Sequence, residues 1–239
     1  MTLSLHSLVS IRSLLCLVTL FVSASGQQVT PPAPDEKKSQ PRLRLICVEC
    51  LEQDQQVGLA TRDEKGEWRE LGKAGIRSSF ISDWMPASAG ELHLTVPGTG
   101  GPQSICKFTY PEGARRALVV LIPDKGAKVY RPVVYDPDKL AFAKGSVLVA
   151  NFSSRSGMVV FGTKRVTVKP GDRSVVKPTP EPNGMYRMLV AYEDENGKPV
   201  PCYDRYVQEN TNSRDLLFLI PDAALGLKAF SLPIFGAFD

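Results

Sequence analysis

The phrase "RALVVLIPD" (residues 116–124) returns 98 positions later as "RDLLFLIPD" (residues 214–222), so the chain writes R-x-L-x-x-L-I-P-D twice. Leu-x-x-Leu-Ile is too continuously apolar for a strand with one wet face. Each copy therefore reads as a central strand covered on most sides. Proline has no N–H for a ladder and is expected to end the strand. Aspartate is expected to turn the chain after it.

The correspondence extends outward from that phrase. Gly75-Ile76-Arg77-Ser78 precedes Gly171-Asp172-Arg173-Ser174 by 96 positions, and the same offset relates Pro86 to Pro182, Gly101 to Gly197, and Cys106-x-x-x-Tyr110 to Cys202-x-x-x-Tyr206. The offset grows to 98 at the paired phrases and to 100 at Gly126-x-Lys128-x-Tyr130 against Gly226-x-Lys228-x-Phe230. It changes only between strands, where insertions are tolerated. The chain reads as a tandem duplication of a unit of roughly 95 residues.

Each copy reads as all-β. In the second copy, runs rich in β-branched and aromatic residues cover 147–152, 158–161, 166–168, 174–176, 185–192, 202–207, 216–220 and 228–230. Pro170-Gly171 suits a turn with positive φ at the glycine, and Asp194-Glu195-Asn196-Gly197 suits a hairpin. No window carries a helical stripe. The expected fold is two tandem immunoglobulin-like β-sandwiches, with partly open β-barrels as the alternative. The expected segments are a signal peptide at 1–26, a Pro-rich tether at 27–42, a first sandwich at 43–138, a linker at 139–143 and a second sandwich at 144–239.

Leu14 to Val22 is apolar apart from Thr19, and Ser23-Ala24-Ser25-Gly26 supplies small residues for cleavage. This is the pattern of a secretory signal peptide, which implies a secreted or periplasmic protein. Later stretches are not apolar enough to cross a membrane as a helix. The formal net charge is +4, with charged residues at 23% and hydrophobic residues at 43%. So mild a balance argues against a nucleic-acid partner, which calls for a concentrated basic face.

Motifs for chemistry are sparse. His93 alternates with Leu92, Leu94 and Val96, so it is expected on the exposed face of a strand, without a nucleophile signature beside it. "PGTGG" (97–101) has a strand after it and reads as a hairpin loop rather than a phosphate cradle. Asp136 and Asp138 in "YDPD", and likewise Glu49, Glu52 and Asp54, read as solvated loop charges rather than calcium ligands. Asn151-Phe152-Ser153 matches a glycosylation sequon, but Phe152 reads as a buried strand end. Lys164, Arg165, Lys169, Arg173 and Lys177 lie on two successive strands and form a candidate surface for an anionic ligand such as an acidic polysaccharide. No metal, cofactor or catalytic residue is assigned.

Cys47, Cys50, Cys106 and Cys202 remain after the signal, an even number that suggests disulfides in an exported chain. Cys202 is alone in its copy, so it is expected either free or bonded across to the first copy. Cys47-x-x-Cys50 also has the spacing of a zinc half-site, though a second pair is wanting.

"KVYRP" (128–132) resembles the end of the long edge strand of periplasmic pilus chaperones. That resemblance implies an exported two-domain protein that donates an edge strand to its partner. The departure is that the two units here are copies of each other. The reading with most support is a non-enzymatic secreted or periplasmic binding or structural protein, with a cell-envelope protein or acidic polysaccharide as partner. Strand donation and an enzyme using loop carboxylates are the alternatives.

Overall fold

The computed structural model describes residues 40–235. The expected signal peptide with Cys16, the tether up to residue 39 and residues 236–239 lie outside the described residues. The last residues assigned to the tether are held in place. Pro41 accepts a hydrogen bond from the N–H of Ala87 at 2.7 Å, and the first strand begins at Arg42.

The protein is all-β. The first copy contributes β1 (Arg42–Cys47), β2 (Gln55–Arg62), β3 (Trp68–Ile76), β4 (Phe80–Ile81), β5 (Met85–Pro86), β6 (Gly90–Gly98), β7 (Gly101–Tyr110), β8 (Arg116–Asp124) and β9 (Val129–Tyr135). The second contributes β10 (Val147–Asn151), β11 (Gly157–Phe161), β12 (Lys164–Val168), β13 (Arg173–Val176), β14 (Met185–Glu193), β15 (Pro199–Gln208), β16 (Ser213–Asp222) and β17 (Gly226–Phe235). All eight strands read from the sequence of the second copy are present, most of them longer by a residue or more at the ends.

Four open sheets result. The inner sheet of the first copy runs β4-β1-β8-β9, with β5 also on β1, and its outer sheet runs β3-β2-β6-β7. The second copy repeats both orders, β13-β10-β16-β17 and β12-β11-β14-β15. Each copy has two separate open sheets, the arrangement of a sandwich, and no closed barrel. The two L-I-P-D phrases occupy equivalent places, since β8 lies between β1 and β9 as β16 lies between β10 and β17. In both copies the pairing to the first strand is parallel and the pairing to the last is antiparallel.

Three apolar layers alternate with the sheets. One core joins the first outer and inner sheets, through Leu59, Leu94, Val119 and Leu121 among others. Another joins the second pair, through Val149, Phe161, Leu217 and Leu219. The third lies between the two inner sheets and mixes Ile46, Leu118, Val120 and Ile122 with Leu148, Leu216, Phe218 and Ile220. Successive side chains of a strand point to opposite faces. In β8, Leu118, Val120 and Ile122 therefore meet the other copy while Val119 and Leu121 fill their own. This is why L-x-x-L-I is apolar without a break: both faces of each inner sheet are covered. Leu118 is 2% exposed, and Leu121, Leu216 and Leu219 are 0% exposed.

The linker belongs to the stack as well. Phe142 is buried in the layer between the copies, and its carbonyl accepts from Arg214 Nε at 2.7 Å. Asp138 pairs with Arg116 at 2.6 Å, so the "YDPD" carboxylates brace a turn.

Proline does not end the strand, which corrects the sequence expectation by two residues. Pro123 still pairs with Tyr130, and Pro221 with Leu227. The Leu121 carbonyl accepts from Val48, which places the N and O of Leu121 on the β1 side, and alternation puts the Pro123 nitrogen there too. β1 has stopped by that point, so no acceptor is left waiting. Aspartate does turn the chain: Asp222 Oδ1 accepts from the N–H groups of Ala224 and Leu225, both at 2.9 Å, and Asp124 Oδ1 from Ala127 at 3.0 Å. The glycine turns form as read, with φ of 80° at Gly171 and 75° at Gly197.

Candidate functional site

At the end of the two inner sheets, both L-I-P-D segments border one cleft of about 340 Å³. Ile122 and Pro123 line it from the first copy, and Ile220, Pro221 and Ala223 from the second. Val48, the residue after β1, adds a further apolar contact. The phrase therefore recurs for two reasons that share one strand. Its leucines and isoleucines build the stack, and its Ile-Pro ends meet at the seam.

The rim carries two carboxylates and two ammonium groups. Glu49 Oε1 accepts from Lys125 Nζ at 2.6 Å, and Glu49 Oε2 lies 3.8 Å from Lys228 Nζ of the second copy. Lys228 also lies 3.7 Å from Asp222. Lys125 is the main cause that holds the Glu49 carboxyl below the usual carboxylate range, with Lys228 adding to it. The Asp222 carboxyl is held low chiefly by the backbone N–H groups of Leu225 and Ala224. Rather than a solvated loop charge, Glu49 clasps both copies. The cleft is of mixed polarity, with Ile-Pro walls under a charge-balanced rim, and suits a small group without net charge.

His93 departs from expectation. It is 7% exposed, because Trp68 packs edge-on at 5.0 Å and Arg62 stacks over Trp68 at 4.4 Å. Its Nδ1 lies 3.0 Å from Ser104 Oγ and its Nε2 lies 3.1 Å from Glu91 Oε1. Ser104 Oγ also lies 3.3 Å from the Cys106 carbonyl, to which it can donate. Lys107, foremost, holds the Glu91 carboxyl below its usual range. The trio is a hydrogen-bonded ladder across β6 and β7. "PGTGG" is the hairpin expected, closed by the Gly98–Gly101 pair.

The five basic residues are exposed but do not share one face. Val166 and Val168 face the second core, which turns Arg165 and Thr167 outward from β12. Lys164 Nζ instead donates to the Lys177 carbonyl at 2.6 Å. The Arg173 guanidinium lies over Tyr135, 5.6 Å from the ring centre, at the seam between the copies. Asn151 of the sequon is 0% exposed, its Nδ2 donating to the carbonyls of Arg155 at 2.7 Å and Val168 at 2.8 Å.

The cysteines separate into a pair and two single residues. Cys47 and Cys50 have their sulfurs 2.7 Å apart. Cys106 is buried in the first core, which pushes its thiol up to about 12. Cys202 packs against the second core, with its Sγ 3.6 Å from the Val190 carbonyl. Of the two outcomes expected for Cys202, free or bonded across, the bond between copies is not formed, because β7 and β15, which carry Cys106 and Cys202, lie in the outer sheets, with both inner sheets between them. All four cysteines are free thiols here. Among the described residues no group of three or more His, Cys, Asp or Glu is placed to hold a metal ion, and no helix is long and apolar enough to cross a membrane.

No protein-family model matches the chain, and no curated protein matches it in sequence. The sequence signal for the cleft lies in the repeated phrase itself. Two Ile-Pro ends in equivalent strands must come together if the copies pack through those strands.

Proposed function

We propose that the protein is a secreted or periplasmic, non-enzymatic binding module made of two immunoglobulin-like copies. In this reading the fused pair offers the cleft at the L-I-P-D ends to an apolar side chain of a cell-envelope protein. The observation that supports it is the lining. Equivalent Ile-Pro segments of both copies border one cleft of mixed polarity, whose apolar part they supply, and the rim charges cancel. A volume of about 340 Å³ is at the small end for ligand sites, suited to one or two side chains. The test is a set of short apolar peptides titrated into isotope-labelled protein, followed at the isoleucine methyl groups. Shifts at Ile122 and Ile220 that disappear in Ala223→Trp are expected. Shifts confined to other methyl groups, or none, overturn the reading.

Strand donation is the second reading. Its supporting observation is that β9, which carries most of the "KVYRP" run, is the last strand of its sheet. A β-rich subunit that co-purifies with the chain and is displaced by a β9 peptide is its test. An acidic polysaccharide has less to hold, since the five basic side chains are dispersed. Salt-insensitive retention on a heparin column, or none, argues against that ligand.

A further inference from the structure

The loop after the first strand is held differently in the two copies. Cys47 pairs with Leu121, and Asn151 pairs with Leu219, so Cys47 and Asn151 occupy the same place in their copies. In the second copy Asn151 is a bracket. Its Nδ2 donates to two carbonyls, and its Oδ1 accepts from the N–H of Ser153 at 2.9 Å and the hydroxyl of Ser153 at 2.7 Å. A thiol is a weak donor and a weak acceptor, so Cys47 cannot hold its loop that way. What it has instead is Cys50, three residues on.

We propose that Cys47 and Cys50 are a reversible disulfide site, and that the bond does for the first loop what Asn151 does for the second. The sulfurs stand 2.7 Å apart, so closing to a bond of about 2.05 Å takes a movement of about 0.7 Å. The turn between them is already set. Val48 N–H donates to the Leu121 carbonyl at 3.2 Å, Cys50 N–H to Ser78 Oγ at 2.8 Å, and Leu51 N–H to the Tyr130 hydroxyl at 2.9 Å. Cys202 lies in the core of the other copy, whereas Cys106, on β7 of the outer sheet, shares the first core with Cys47.

The chemistry is thiol–disulfide exchange with a disulfide-bearing oxidant, a small molecule or a protein. Cys50 is half-buried and within reach of solvent, while Cys47 is 1% exposed. Cys50 loses its proton and attacks one sulfur of the oxidant, which releases the other sulfur as a thiol. Cys47 then gives its proton to solvent and attacks Cys50 Sγ, releasing the second thiol. Two protein thiols become one disulfide, and the oxidant disulfide becomes two thiols.

The consequence reaches the cleft, because the two residues inside the C-x-x-C loop are Val48 and Glu49. Val48 packs in the layer between the copies, and Glu49 bridges Lys125 and Lys228. Oxidation therefore fixes the residue that clasps one copy to the other. The site does not depend on what the cleft binds; its use in the cell rests on the export reading.

The experiment equilibrates the purified chain in glutathione buffers from reducing to oxidising, alkylates free thiols and maps tryptic peptides. One peptide, residues 45–62, contains both cysteines. It is expected to become about 2 Da lighter and unalkylated along a two-electron curve, with Cys106 and Cys202 still alkylated after unfolding. Two alkylated cysteines in the most oxidising buffer, a lasting glutathione adduct, or a bond to Cys106 or Cys202 overturns the site. Cys50→Ser removes the curve, and its circular dichroism spectrum checks that it still folds. Amide exchange at residues 48–51 reads the coupling to the loop: about tenfold more protection in the oxidised form is expected, and equal protection overturns that part. Loss of peptide binding in the cleft with the redox curve intact counts against the proposed function alone.

Discussion

Phe218→Ala tests whether the two copies are one folding unit. Phe218 is 0% exposed in the layer between the inner sheets, with Phe152 at 5.3 Å and Phe230 stacked at 6.1 Å. Truncating a buried phenylalanine costs about 3–5 kcal/mol, and losing two ring pairs places this site in the upper half, at about 4–5 kcal/mol. With a urea slope of about 2–3 kcal/mol/M, the midpoint falls by about 1.3–2.5 M. Domains are stable by about 5–15 kcal/mol, so the variant remains folded in buffer. Both tryptophans, Trp68 and Trp84, belong to the first copy, whereas the substitution is in the second. Trp84 packs against the shared layer. Tryptophan fluorescence and far-ultraviolet circular dichroism are expected to shift together, by the same amount, in a single transition. A fluorescence midpoint that stays in place while the dichroism curve splits in two refutes the shared core as the source of stability.

Asn151→Ala leaves two buried carbonyls and the Ser153 N–H without their partner and is expected to cost on the order of 3 kcal/mol by urea unfolding. The same burial predicts no glycan at Asn151 when the chain is expressed in a glycosylating host, which intact mass spectrometry reads. Gly157→Ala drives a methyl group into Leu219 and is expected to cost about 1–3 kcal/mol, a loss that Leu219→Val should partly relieve. The Glu49 carboxyl is held low when folded, so its clasp contributes fully above the unfolded pKa and is lost as pH falls through the folded value. Glu49→Gln is expected to flatten the acid side of the urea midpoint against pH by no more than about 1 kcal/mol, since the pair is largely solvated.

The sequence by itself determined the strands, the turns and the duplication, because these are local or periodic properties. Alternating runs, Pro-Gly and Asp-Glu-Asn-Gly punctuation, and two sets of matching residues are read without knowing what packs on what. It also marked Leu118, Leu121, Leu216 and Leu219 as central, since an apolar strand without a polar face must be covered twice. Which surfaces do the covering was a tertiary matter. Nothing local says that the second cover of each inner sheet is the other copy, and from that packing follow the cleft, the clasp at Glu49 and the separation of Cys106 from Cys202. His93 turned out covered for the same kind of reason. Its strand register placed it on the outer face of a sheet, but Trp68 and Arg62 closing over it depend on the pairing of β2 with β3 and β6. Asn151 and Cys47 show the limit most plainly. Sequence offsets relate them only through the strands they pair with, and only the fold sets an asparagine bracket in one copy where the other has a thiol pair.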